Sequence, residues 1–272
     1  MHNYHDKQLS ILNTLKANIN KSLNKKPAGC LRIHQKANTI QYYHRSSPNQ
    51  RKGTYIRKKD MAFIRALAQK RYDQEFLSAI ASLEREMESS WNYYSMHPFY
   101  QYLAAVYENL TPARQELVTP HVMPDEMFVK AWQNMEYTGK PLNEDAPIIK
   151  THRGERVRSK SEKMIADQLF VIGLPYRYEF PVQTKLWGPV YTDFTLLDLW
   201  NRQNVLLEHF GKMQDDEYCN HTLRKLEMYE EEGWHLGDNF LFTMESNNHI
   251  INMEHFVRLI RHRFPWLPYF SQ

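Results

Sequence analysis

The chain has 272 residues, 42% apolar and 24% charged, a globular balance that excludes wholesale disorder. Nine glycines argue against a Gly-rich cofactor loop, two cysteines (Cys30 and Cys219) against a disulfide framework, and the lack of a long apolar run against a membrane span. The net charge of +4 hides an asymmetry: residues 1–70 hold 15 Lys and Arg against Asp6 and Asp60 alone, and the rest is net acidic.

Along the chain, Leu9, Leu12, Leu15, Ile19 and Leu23 recur at helical spacing and predict a helix over 3–23, stopped by Pro27-Ala-Gly29. Cys30–Ile33, Thr39–His44 and Gly53–Ile56 read as three short strands joined by the polar loops 35–38 and 46–52. This meander interleaves Arg32, Arg45, Arg51 and Arg57 with Tyr42, Tyr43 and Tyr55, a mixture that suits phosphate contact and base stacking, or an ordinary sheet with one wet face. A long helix follows over 60–89, then shorter ones near 98–108, 111–117 and 124–137, with a connector over 139–147.

From about residue 150 the pattern changes. A helix over 159–173 precedes extended segments at 176–184, 190–197 and 204–210, a helix over 215–232, a strand at 239–244 and a last helix over 252–263. The order is α-β-β-β-α-β-α. We therefore expect two parts, a basic α+β region over 1–150 that binds nucleic acid and an α/β domain over 151–272. The opening MHNYHDKQLS lacks the apolar stretch of a signal peptide, so a soluble cytoplasmic protein without a membrane partner is expected.

Three carboxylates of the second part occupy positions where a core wants apolar residues. Glu162 shares a helical stripe with Ile165, Ala166 and Leu169. Asp193 alternates with Tyr191, Thr195 and Leu197, and Glu208 lies between Leu206 and Phe210 on one side of its strand. Buried acids cost several kcal/mol unless compensated, and converging acids imply a hard cation such as Mg²⁺ or Mn²⁺. Each also has a structural reading. Ser159-x-x-Glu162 is a capping box, and Asp193 could end a strand by turn chemistry. Asp215 and Asp216 suit the start of a helix, and the run Tyr176–Glu179 could hold a strand or line a groove.

These residues and their order resemble the PD-(D/E)XK nuclease superfamily, the restriction-endonuclease-like fold, over about residues 155–245. The resemblance implies a mixed sheet flanked by helices, with Glu162 as the helical acid, Asp193 as the acid at a bend of the second strand and Glu208 as the acid of the third. It departs from the pattern at Thr192, where a proline is usual, and at Phe210, where the motif lysine is expected. Lys225 is the best substitute: its i±3 and i±4 neighbours are His221, Thr222, Met228 and Tyr229, so no local acid claims it. Lys212 is the alternative.

The activity implied is a Mg²⁺- or Mn²⁺-dependent nuclease, with Asp193, Glu208 and the His209 carbonyl as metal ligands and Glu162, Asp193, Glu208 and Lys225 as catalytic residues. The substrate is nucleic acid, DNA before RNA, and a homodimer or a DNA-processing complex is a further expected association. The alternative is an inactive nucleic-acid-binding or complex-assembly protein that keeps the fold. Two geometric expectations follow for Lys225: its ammonium lies within about one bridging water of Glu208, and Lys225→Met costs little stability.

Overall fold

The structure, a computed structural model, describes residues 2–36, 39–47, 49–89, 99–141 and 147–270. The chain is mixed α/β and divides into two compact units, residues 1–128 and 129–272, against the change expected at 150. Among the described residues no helix is long and apolar enough to cross a membrane.

The first unit begins with α1 (His2–Leu23), whose Leu12 and Ile19 are buried with Phe76, Ile80 and Leu83 of α2 (Met61–Ser89). Between these helices lies an antiparallel meander of β1 (Cys30–Lys36), β2 (Thr39–Arg45) and β3 (Thr54–Ile56). Alternation gives it one apolar face, where Leu31, Tyr42 and Ile56 pack on Ile64, Leu67 and Ala68 of α2. Then come α3 (Phe99–Glu108), α4 (Pro112–Gln115) and α5 (Asp125–Gln133), which runs across the division between the units. The expected start of α3 at residue 98, and residues 142–146 of the expected connector, lie outside the described residues.

The last of these helices ends at Gln133, four residues before its periodicity suggests. Trp132 stacks under Arg177, with 4.0 Å from guanidinium to ring, and its carbonyl takes an Arg177 hydrogen bond, while Tyr137 donates to the Tyr178 carbonyl at 2.7 Å. The chain after Gln133 is thus irregular, with Tyr137 tied to the Tyr178 backbone, and tertiary contacts override local helical preference.

The second unit opens with two short paired strands, β4 (Ile149–Lys150) and β5 (Arg156–Val157). Its core is a four-stranded sheet built from β6 (Tyr176–Tyr178), β9 (Phe194–Asp198), β10 (Gln203–Phe210) and β11 (Phe240–Met244). The first three are antiparallel neighbours and β11 runs parallel to β10, so the sheet is mixed. One face carries Val205, Leu207, Leu196 and Leu241 against α6 (Lys160–Ile172) and α8 (Met253–Arg263). The other carries Leu206 and Phe240 against Tyr229 of α7 (Asp216–Glu231).

Caps set the helix ends where the sequence placed them. Ser159 accepts from the Glu162 amide, Gly173 closes α6 in the left-handed region, Asp215 caps α7 and Asn252 caps α8. Two expected strands are broken. The run 176–184 splits at Glu179 into β6 and β7 (Pro181–Gln183), and 190–197 splits at Thr192 and Asp193 into β8 (Pro189–Tyr191) and β9. Strands β7 and β8 pair with each other as a separate ribbon, which requires both bends. Glu179 takes φ of 47°, a strained value for a non-glycine. Arg158 compensates by gripping its carboxylate with two hydrogen bonds of 2.5 and 3.1 Å.

At the far end of β9, Asp198 is fully buried, 2.8 Å from Arg263 of α8, and accepts from the backbone and side chain of Asn201. Removing one partner of a buried pair strands the other charge. Arg263→Leu is therefore expected to destabilise the protein by about 3 kcal/mol. Adding Asp198→Asn to it should recover part of that loss, both read by denaturant unfolding.

Candidate active site

Glu208 lies on β10 with a side chain 2% exposed, facing α7. Two side chains of that helix, one turn apart, meet it. Lys225 Nζ lies 2.8 Å from Glu208 Oε1, and the Tyr229 hydroxyl donates to the same oxygen at 2.5 Å. The ammonium also sits 5.8 Å from the centroid of the Tyr229 ring. Lys225 is thus closer to Glu208 than a bridging water requires. Burial, then the adjacent Glu208 charge, pushes the Tyr229 hydroxyl far up, so it remains a donor.

Asp193 occupies the bend between β8 and β9, the place that the resemblance implies and turn chemistry allows, and not a position inside one continuous strand over 190–197. Two backbone amides fix it: Glu179 N–H donates to its carbonyl at 3.0 Å, and His209 N–H to its carboxylate Oδ2 at 2.7 Å. Its side chain is half-buried. Its pKa is raised well above the ordinary 3.8, first by burial and then by the negative charge of Glu208. The His209 amide and Lys225 oppose the shift, and Glu162 adds to it. The three acids therefore act within one electrostatic neighbourhood.

Glu162 enters through its cap. Its Oε2 accepts from the Arg158 amide at 2.9 Å and from the Tyr178 hydroxyl at 2.7 Å, so the Ser159 half of the capping box forms while the Glu162 carboxylate reaches one residue past the N-cap. The His209 ring turns to the opposite face of the sheet from Glu208, as alternation requires. Its Nδ1 lies 2.8 Å from Thr243 Oγ1 and its Nε2 3.3 Å from Glu245 Oε1, an ion-pair distance without hydrogen-bond alignment. Ser161 of α6 donates to the same Glu245 oxygen at 2.7 Å.

Lys212 is exposed in the turn before α7 and forms no ion pair among the described residues. Phe210, where a motif lysine is expected, is buried with its ring 5.7 Å from that of Phe242. Tyr218 accepts from the Gly211 amide at 3.3 Å, which holds the end of β10 against the first turn of α7. The sequence placed Tyr229 among the helical neighbours of Lys225 without giving it a role. The contacts of Tyr178 with Glu162 and of Ser161 with Glu245 span more than ten residues and leave no local signature.

The buried acids of this unit differ in how fully the protein satisfies them. Asp198 and Glu179 are held by arginines. Asp193 has one amide on Oδ2, and Glu208 has its partners on Oε1, so Asp193 Oδ1 and Glu208 Oε2 accept no hydrogen bond among the described residues. No cluster of three or more His, Cys, Asp or Glu among the described residues forms a ready metal cage. Two open carboxylate oxygens without thiolate or free imidazole fit Mg²⁺ or Mn²⁺, which take one or two carboxylates and complete their shell with water and phosphate. They do not fit structural zinc.

The chain matches no family model, no curated protein and no solved structure.

The cluster makes opposite demands on two of its members. Because the Asp193 pKa is raised in the fold, its ionisation costs stability above that raised value, and the cost disappears as pH falls below about 3.8. Asp193→Asn should therefore stabilise the metal-free protein by about 1 kcal/mol at pH 7 and lose this advantage on acidification. Lys225→Met should destabilise it at pH 7 by about 3 kcal/mol, because it strands the Glu208 charge. This reverses the expectation of a small cost. Thermal unfolding at pH 7 and below pH 4 reads both.

Proposed function

We propose that the protein is a metal-dependent nuclease that hydrolyses phosphodiester bonds in nucleic acid, DNA before RNA. The observation that carries this reading is the pair of open carboxylate oxygens, on Asp193 and Glu208, beside a lysine that, among the described residues, pairs with no acid other than Glu208. The order of the core-sheet elements, α6, then β6, β9 and β10, then α7 and β11, and the parallel pairing of β11 with β10 support the restriction-endonuclease-like core implied by the resemblance. The 15 cations of residues 1–70 support a polyanionic substrate.

Asp193 and Glu208 would hold Mg²⁺ or Mn²⁺. When bound, such an ion polarises the scissile phosphate and lowers the pKa of a coordinated water. The protein supplies the rest. Lys225 carries the cation that the Phe210 position lacks, placed to stabilise negative charge on the phosphate in the transition state. Tyr229 holds Glu208 in one orientation, and the His209 amide does the same for Asp193. Glu162, locked by Arg158 and Tyr178, keeps a carboxylate in range to orient a water rather than to bind directly.

One observation favours a second reading, a binding protein that no longer cuts. Glu208 already has Lys225 and Tyr229 as partners, so its burial is compensated without metal. The two readings separate in one assay. Supercoiled duplex and circular single-stranded DNA are incubated with the full chain in Mg²⁺, Mn²⁺ or EDTA. The nuclease reading predicts divalent-dependent cutting that Asp193→Asn and Glu208→Gln each reduce by more than about 100-fold. Wild-type protein that binds DNA and cuts neither form in either metal is the outcome of the second reading.

A further inference from the structure

The meander of the first unit has a solvent face that its core does not use. With Leu31, Tyr42 and Ile56 turned inward, alternation sends Arg32, Tyr43 and Tyr55 to the other side. The register sets these three in one row: Arg32 opposes Tyr43, and Tyr43 opposes Tyr55. Tyr55 is 52% exposed, a large aromatic surface left in water. It forms an edge-to-face pair with Tyr43, centroids 5.7 Å apart and planes at 69°, and Tyr43 is in turn held by Gln41 at 3.0 Å. The ring is thus braced from one side and open on another.

Cations border this row. Arg32 donates to the Arg51 carbonyl at 3.1 Å, which draws residues 49–53, with exposed Arg51 and Lys52, beside the platform. Gly53 permits the approach: a Cβ there would lie 2.8 Å from the His44 carbonyl and 3.1 Å from the Tyr43 Cβ. Between Asp6 and Asp73 the sole acid is Asp60, and Arg32, Arg51 and Lys52 form no ion pair among the described residues.

We infer that this face is a stacking platform for single-stranded nucleic acid, with Tyr55 taking a base and Arg32, Arg51 and Lys52 the neighbouring phosphates. The inference rests on the nucleic-acid reading above and narrows it, because unpaired bases offer their π-faces to a protein aromatic whereas a duplex hides them. Charge alone would serve a duplex equally.

The test is fluorescence anisotropy with the full chain in EDTA, which prevents cutting, using labelled oligomers of about 15 nucleotides. The probes are oligo-dT, oligo-rU and a mixed-sequence duplex. The single strands should bind more tightly than the duplex. Tyr55→Ala should weaken single-strand binding about tenfold with an unchanged salt slope, and Tyr55→Phe should restore it. Arg32→Ala should flatten the salt slope for every probe. A duplex bound as tightly as the single strands, or full single-strand affinity in Tyr55→Ala, overturns the platform and leaves the nuclease reading intact. Single-strand binding through Tyr55 by a protein that never cuts sustains the platform and overturns the nuclease.

Discussion

A carboxylate buried on a β-strand needs a partner, and the contact between Glu208 and Lys225 organises much of the second unit around that need. Glu208 replaces an apolar side chain in the middle of Val-Leu-Leu-Glu-His-Phe, where a lone charge would cost several kcal/mol. Lys225 answers it from α7 at 2.8 Å and Tyr229 from one turn further along. Helix α7 is therefore held to the sheet in a single rotation, with Tyr229 also packing on Phe240, centroids 4.8 Å apart. The apolar contacts alone, Leu206 and Phe240 with Tyr229, would tolerate some sliding. The ion pair and the hydroxyl do not.

The second acid depends on backbone rather than on side chains. Asp193 keeps its place because Glu179 and His209 each turn an amide toward it. Glu179 reaches that geometry only in a strained conformation, which Arg158 stabilises with a bidentate grip. The His209 amide is fixed in turn by its ring, tied to Thr243 and near Glu245 on the far face of the sheet. The outcome is an acid with a raised pKa beside an acid whose counter-charge is already in place. The proposed metal site would draw on this division, the open acid supplying negative charge that no cation among the described residues yet pairs.

Local signals in the sequence were sufficient for the helices of the second unit and for the Lys225 contact, though not for the end of α5. Ser159, Gly173, Asp215 and Asn252 mark ends by capping chemistry that acts within four residues. Lys225 stood out because its helical neighbours offered no acid. The strand break at Asp193 was legible as turn chemistry and as the bend that the resemblance implies, but the break at Glu179 was not. Tyr176, Tyr178, Phe180 and Val182 keep alternating straight through Glu179, and the arginine that makes the bend tolerable lies 21 residues earlier. The hydroxyls of Tyr178 and Tyr229 were hidden for the same reason, since their partners Glu162 and Glu208 are 16 and 21 residues away.

The central claim is that Asp193 and Glu208 jointly hold a divalent cation through the oxygens that the protein leaves open. Anomalous diffraction from a crystal soaked in Mn²⁺ tests it most directly. The account predicts a Mn²⁺ peak in contact with both Asp193 Oδ1 and Glu208 Oε2, with Lys225 still paired to Glu208 Oε1. A soaked crystal with no peak at these oxygens, or with Mn²⁺ only at surface acids elsewhere, would contradict it.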